Sequence, residues 1–310
     1  VALIKRVPAD LGIEFIGNRR LCLAFSALLL LVSVGSFFWQ GLNYGVDFRG
    51  GVLIELKTKG AADVGDIRNR ISNLGINGAT IQSFGEADDV LINLPSAGDN
   101  TADAQPMIDR VKAALTDVAD NYRRVEFVGP KVGNELREAG ALATVLALLG
   151  IAAYIWFRFE WHFAAAALIA LVHDIIATVG FFSMTQMEFN LSTLAAVLTI
   201  AGYSINDTVV VFDRVREDLR KYKKMPLPSL LNTAINQTLT RTVLTSSTTL
   251  LALIALYAFG GEVIRGFSSG LIYGVVIGTY SSIGIASPLL IYFGLRRTDI
   301  SLPDAETAQP

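Results

Sequence analysis

A carboxylate inside an apolar helix can bind and release a proton or hold a counter-ion, and the stretch GYSINDTVVVFDRVRE, residues 202–217, carries one at Asp207. The run before it, Leu191 to Tyr203, has no charged residue, and charge returns at Asp213, so the apolar helix is expected to end near Phe212. At a rise of about 1.5 Å per residue, Asp207 lies roughly 9 Å inside that boundary. Insertion scales charge about 2.5–3.5 kcal/mol for an Asp at the centre of a spanning helix, and carboxylates kept there mark ion and proton paths. Such a group calls for a partner. Arg241, near the start of the next apolar run TLTRTVLTSSTTLLALIALYAF, is expected at matching depth on an antiparallel neighbour. Helical spacing sets Tyr203, Ser204 and Val211 on the face of Asp207, and Gln237, Thr238, Thr245 and Thr248 on that of Arg241. A static buried ion pair that fixes helix register is one reading of these residues. The one adopted is a proton-handling pair.

His173 and Asp174 form a second candidate, near the middle of the third apolar run, about 16–18 Å from its charged end. Chains of His, Asp and Glu are the usual intramembrane relays, so the pair can extend a proton path. A hydrogen-bonded helix contact is the alternative. His162, in RFEWH, reads as interfacial.

The elements that must position these groups follow from composition. The chain has 310 residues, 52% hydrophobic and 17% charged, with mean hydropathy +0.47, which is a membrane-protein composition. A net charge of −2 gives no electrostatic surface for nucleic acid, and the single cysteine, Cys22, excludes an internal disulfide or a cysteine metal cluster. Residues 1–20 read as a cytoplasmic N-terminal segment, and Leu21 to Trp39 as a first span, apolar and long enough for a hydrocarbon core of about 30 Å. A cleaved signal peptide is the competing reading; the length of the run and the lack of a small-residue cleavage site favour a retained helix.

Residues 40–138 have the composition of a soluble domain. Strands are expected at Val52–Lys57, Thr80–Phe84, Val90–Leu94 and Arg123–Val128, with helices at Asp63–Leu74 and Asp103–Asp120. The order βαββαβ is that of a ferredoxin-like split unit. Lacking His and Cys, with scattered carboxylates, it suits binding or a mechanical role and not catalysis. Five further spans are expected within 139–295, at Ala139–Phe157, Phe163–Met184, Leu191–Phe212, Leu239–Phe259 and Phe267–Phe293, followed by a tail at 296–310. The fold class is therefore an α-helical membrane protein of six spans, with one extracytoplasmic α+β domain between the first two.

Lys5, Arg6, Arg19, Arg20, Arg158, the cluster from Arg214 to Lys224, Arg296 and Arg297 all fall on one side, which the positive-inside rule makes cytoplasmic for both termini. The basic cluster reads as this topological signal, with a docking site as the alternative. Gly266, Gly270, Gly274 and Gly278 recur every fourth residue in the last span, a stripe suited to close helix packing, a ligand groove being the alternative. No Walker A, HExxH, GxSxG or dinucleotide fingerprint occurs, so energy is expected from the membrane, at about 2.3 kcal/mol per charge per 100 mV.

Taken in order, GLNYGVDFRGG, RRVEFVGPKVG, FRFEWH, the HD pair, GYSINDTVVVFDRVRE and TLTRTVLTS closely resemble the SecD/SecF family of the bacterial protein-translocation machinery, within the resistance-nodulation-division superfamily, over nearly the whole chain. The resemblance implies a SecF-like subunit that pairs with SecD and uses proton flow, with no other cofactor, to help exported preproteins across the inner membrane beside the Sec translocon channel and its membrane-insertion subunits. It maps Asp207 and Arg241 onto the family's intramembrane acid and base, and Asp174 onto a further carboxylate; His173, beside Asp174, and Tyr203, Ser204 and Thr245, by helical spacing, are expected to support the proton path. It also implies that the Gly-rich joints to the outer domain, Gly45, Asp47, Gly50, Gly51, Gly129 and Pro130, are hinges. A small-molecule exporter of the same superfamily and a non-coupled assembly factor are the alternatives.

Overall fold

The computed structural model describes residues 12–83, 86–96 and 101–297. Among them six helices are long and apolar enough to cross a membrane. A short 3-10 turn, Ile16–Asn18, leads into α1 (Arg19–Gln40). Next come α2 (Val46–Arg49), β1 (Gly51–Thr58), α3 (Val64–Asn73), β2 (Thr80–Ser83), β3 (Asp89–Leu94), α4 (Thr101–Ala114) and β4 (Ala119–Val128). The remaining helices are α5 (Pro130–Arg158), α6 (Trp161–Thr185), α7 (Leu191–Lys221), α8 (Leu227–Phe259) and α9 (Glu262–Ser281). A π-helical turn, Ser282–Ala286, then leads into α10 (Ser287–Tyr292). Two compact units result: Asn43–Thr144 with Glu188–Leu194, and the described remainder.

In the first unit all strand pairs are antiparallel, in the order β2-β3-β1-β4. This is the sheet a βαββαβ chain makes when each helix carries the chain across one intervening strand. Alternation on β1 sends Val52, Ile54 and Leu56 to a core shared with Ile67 and Ile71 of α3, Ile108 and Val111 of α4, and Val90 and Ile92 of β3. The opposite face holds Glu55 and Asp89, both buried, with Arg123 Nη1 at 2.9 Å from Asp89 and 3.9 Å from Glu55. Asp63 caps α3 by accepting the Asp66 amide at 3.0 Å.

The last expected helix is shorter than the spacing suggested. It stops at Ala114, the chain turns back on the Leu115 carbonyl, and Ala119 already pairs with Thr58, so the ladder claims residues that carry a helical pattern. Phe84 lies outside the described residues.

In the second unit, α1 and α6 approach at Gly180, where a Cβ would stand 2.7 Å from Ser33 Cα. The same contact is fastened by Ser36 Oγ to Ser183 Oγ at 2.9 Å and by Gln40 Nε2 donating to the Ser183 carbonyl at 2.8 Å. Forcing backbones apart in a packed interior costs about 1–3 kcal/mol. Gly180→Ala is therefore expected to lower the stability of the folded bundle by that amount, read as a shift in the thermal midpoint of the purified protein. An unchanged midpoint would mean that α1 is not seated on α6 in this way.

Three helices run longer than expected. α5 starts at Pro130 because proline is preset for the first helical position, so the expected boundary at 138 falls inside a helix. α7 does not end near Phe212 but continues to Lys221, since Arg158–Asp213 at 2.8 Å, Arg216–Glu160 at 2.8 Å and Arg214–Glu217 at 2.6 Å satisfy its charged turns. α8 begins at Leu227 and not at Leu239. Its polar first half is not idle: Asn232 Oδ1 accepts the Phe15 amide at 2.8 Å, and Asn236 both accepts from Ile13 N at 3.0 Å and donates to its carbonyl at 2.9 Å. The lead-in from Gly12 is thus laced to α8 through residues that hydropathy alone does not mark. At the other end Arg297 donates to the carbonyls of Lys223 and Met225, so both described chain ends lie beside the α7–α8 connection.

Candidate functional site

Two buried carboxylates organise the second unit. Asp174, in the middle of α6, is 0% exposed. Its Oδ1 lies 2.8 Å from His173 Nδ1, a hydrogen bond that needs a proton on one of the two groups. Its Oδ2 accepts the hydroxyls of Ser204 on α7 and of Ser281 on α9, the latter at 2.6 Å. One carboxylate therefore ties three helices together. Close approach makes this possible: a Cβ on Gly278 would sit 3.0 Å from that of Ser204, and glycine removes the obstacle. Gly270 and Gly274 do the same against Phe182 and Ile200, and Gly266 opens the stripe in α9. His173 also faces Tyr280, ring centroids 6.5 Å apart, and the Tyr280 hydroxyl reaches α1 by donating to the Cys22 carbonyl at 2.7 Å.

Asp207 stands one helical turn beyond Ser204 on α7 and is 3% exposed. The Thr279 side chain of α9 lies close enough to act on it. Thr279 Oγ1 in turn lies 2.7 Å from Ser246 Oγ on α8, which accepts the Tyr203 hydroxyl at 3.3 Å. A run of hydroxyls, Tyr203–Ser246–Thr279, thus ends beside Asp207. Its Oδ2 is buried without a hydrogen-bond partner among the described residues.

The expected Asp207–Arg241 ion pair does not form in the single chain. Arg241 is exposed and has no ion pair among the described residues, although it is close enough for its charge to act on Asp207. Helix phase is the reason. The buried stripe of α8 runs through Ile235, Thr238, Thr242 and Ser246, and Arg241 lies one residue, about 100°, off it. Thr245 and Thr248 are exposed with it, so Thr245 does not line the Asp207 pocket. Thr199, Gly202 and Asn206 are exposed on α7. The residues that do complete the two centres, Ser246, Thr279 and Ser281, escape sequence reading because a lone hydroxyl in an apolar run gains meaning only once helix registers are known.

The hinge candidates are tightly held. Gly50, at φ 70°, would bring a Cβ to 2.9 Å from Pro130 Cα, and Gly51, at φ 128°, would drive one into the Leu94 carbonyl. Gly129 accepts the Gly133 amide at 2.9 Å in the first turn of α5. Gly45 packs under Glu188, and Asp47 accepts the amide of Leu191 at 2.9 Å. Burial raises the carboxyl of Glu188 above the usual range, against the charge of Arg124.

Comparison with known proteins places this geometry. The family model for the C-terminal region of the protein-export membrane proteins SecD/SecF matches residues 110–296, and the model for the SecD/SecF GG motif matches residues 35–62. Protein translocase subunit SecF of Rickettsia felis is 45% identical over 300 residues, covering 95% of this chain and 96% of the relative. The SecF of Pseudomonas aeruginosa is 46% identical over 299 residues, covering 95% of each. Among solved structures, that of SecDF, a translocon-associated membrane protein from Thermus thermophilus, superposes with a TM-score of 0.85 at 35% identity, covering 94% of this chain and 40% of that one. SecDF in its super-membrane-facing form gives a TM-score of 0.66 at 36% identity over 91% of this chain, which spans 39% of that one. With its six spanning helices, its small antiparallel domain and both sequence signatures in order, the chain belongs to the SecD/SecF family of protein-export membrane proteins.

Proposed function

We propose that this chain is the SecF-type subunit of a complex that draws on the proton gradient to promote protein export through the Sec translocon, with SecD as its partner and exported preproteins as its clients. The observation that carries the reading is Asp207: a buried carboxylate with one oxygen that has no hydrogen-bond partner among the described residues, beside the end of a hydroxyl run, one turn from a residue bonded to a second buried carboxylate. Loading and unloading a proton there changes what Thr279 and Ser246 must do, and hence how α7, α8 and α9 pack. Asp174 with His173 forms the second proton-binding centre, coupled to the first through Ser204 and through Ser281, two residues from Thr279.

The exposed polar face of α7 and α8 supports the partner. Arg241, Asn206 and Thr245 on the outside of a membrane bundle leave polar groups in hydrocarbon unless another helix bundle covers them. SecD would supply that cover and bring the counter-ion of Arg241 to the edge of the Asp207 pocket. The unequal fit to two SecDF structures at near-equal identity supports a family that works through more than one arrangement. The concentration of Arg and Lys around the α7–α8 connection, where both described chain ends lie, supports cytoplasmic termini and an outer domain on the far side of the inner membrane.

The test is gradient-dependent completion of preprotein translocation in vesicles that carry SecD with either the native chain or Asp207→Asn. Loss of the gradient-stimulated fraction, with the two subunits still copurifying, is the expected result. Undiminished stimulation would move the proton site to the partner and leave Asp207 a structural residue.

A further inference from the structure

The connection from α6 to α7 is bound to the segment ahead of β1 by contacts that all lie within the sheet-bearing unit. The Phe189 amide donates to the Asn43 carbonyl at 2.7 Å, and the Gly45 amide donates to the Phe189 carbonyl at 2.9 Å, which makes a parallel bridge. Phe48 stacks on Phe189 with ring centroids 6.1 Å apart, and Tyr44 meets both rings edge-on. The Asp47 Oδ2 accepts the amide of Leu191, the first residue of α7, at 2.9 Å. The amide of Thr193, two residues on, is met by Asn190, whose Oδ1 accepts from it at 3.0 Å, while Thr193 Oγ1 accepts from Asn190 N at 2.7 Å.

The first amides of a helix have no partner within it, and a negative charge there also complements the helix dipole. Most helices meet this need with residues next to them in sequence. Here one cap comes from Asp47, 144 positions away, in the segment that leads into the sheet. α7 then runs unbroken from Leu191 to Lys221 and carries both Ser204 and Asp207.

We infer that Asp47 is a positioning residue for proton coupling: its carboxylate fastens the first turn of α7 to the outer domain, so that the helix bearing Asp207 and the domain shift as one piece. This rests on the proton-coupled reading above and replaces a hinge at Asp47 with a tether. A hinge residue absorbs backbone rotation. Asp47 does the opposite, because its hydrogen bond holds only while the segments 45–49 and 188–193 keep their register.

The experiment uses the full chain in complex with SecD, with Asp47→Ala, Asp47→Asn and Leu191→Pro. Proline at the first helical position removes the same hydrogen bond from the donor side without disturbing the helix, and so decides the matter if Asp47→Ala fails to assemble. Amide exchange at Ser192 to Leu194 is expected to rise at least tenfold in Asp47→Ala and Leu191→Pro. The ratio of gradient-stimulated to gradient-independent translocation is expected to fall at least threefold in both. Asp47→Asn, which keeps an acceptor oxygen, should return both values to within twofold of native. Unchanged exchange overturns the tether, and faster exchange with the translocation ratio intact overturns its role in coupling. Asp207→Asn is run beside them: if it is silent the coupling reading falls by itself, and the exchange measurement still decides whether Asp47 holds α7.

Discussion

Asp174→Asn is expected to leave the bundle folded and the complex with SecD intact, while lowering gradient-stimulated translocation at least tenfold. Asparagine can satisfy every group that Asp174 now meets. With its oxygen turned to the two serine hydroxyls and its amide to His173 Nδ1, it keeps the ties to α7 and α9 and gives up only the ability to take a proton. Asp174→Leu removes the ties as well. It strands the Ser204 hydroxyl and the imidazole in a region closed to water, at about 1–3 kcal/mol for each buried group left unsatisfied, while the Ser281 hydroxyl keeps the Gly278 carbonyl at 3.1 Å. Together these amount to about 4 kcal/mol, a large share of the stability of a marginally stable bundle. Vesicle translocation and the thermal midpoint of the purified complex, measured on both variants, separate the roles. Full gradient stimulation in Asp174→Asn would make the carboxylate a helix fastener and nothing more.

Much of this was legible in the sequence because the membrane simplifies the physics. Charge-free runs long enough to span, and the places where charge resumes, locate all six helices to within a few residues wherever hydropathy changes sharply, as at Trp39 or Phe259. Where a helix leaves the apolar zone and continues, hydropathy stops short. The segment 227–238 is too polar to read as a span, yet it is helical because Asn232 and Asn236 are spent on the lead-in from Ile13 to Ile16. The same holds for α7 beyond Phe212, where ion pairs and not burial sustain the helix.

The site shows the same division. Asp207 and Asp174 stood out because a carboxylate in an apolar run is rare. Of the groups around them, His173 and Ser204 were read from the sequence, but Ser246, Thr279 and Ser281 were not, because a lone hydroxyl in an apolar run gains meaning only once helix registers are known. The glycines of GVDFRGG were visible, and so was their need for unusual backbone angles, which Gly50 and Gly51 adopt. A glycine reads alike whether it lends freedom or space, and Gly51 lends both: its positive φ needs the freedom and the nearby Leu94 carbonyl the space.

Arg241→Leu is expected to act with opposite sign on the chain alone and on the complex. Alone, the guanidinium faces outward from the middle of α8, on a surface that hydrocarbon would cover, and insertion scales put its burden at about 2.5–3.5 kcal/mol. Part of that is relieved as the long side chain bends toward water, so leucine should stabilise the isolated chain by about 1–2 kcal/mol. In the complex the same change leaves whatever SecD presents to Arg241 without its charge, and truncating one partner of a buried charge pair costs about 2–5 kcal/mol. Weaker association with SecD and loss of gradient stimulation should accompany it. Arg241→Lys keeps the charge but not the planar fork, and should fall between the two. Thermal midpoints of the chain with and without SecD decide the matter. A change of the same sign in both would show that Arg241 does not face the partner, and the exposed polar face of α7 and α8 would then need another explanation.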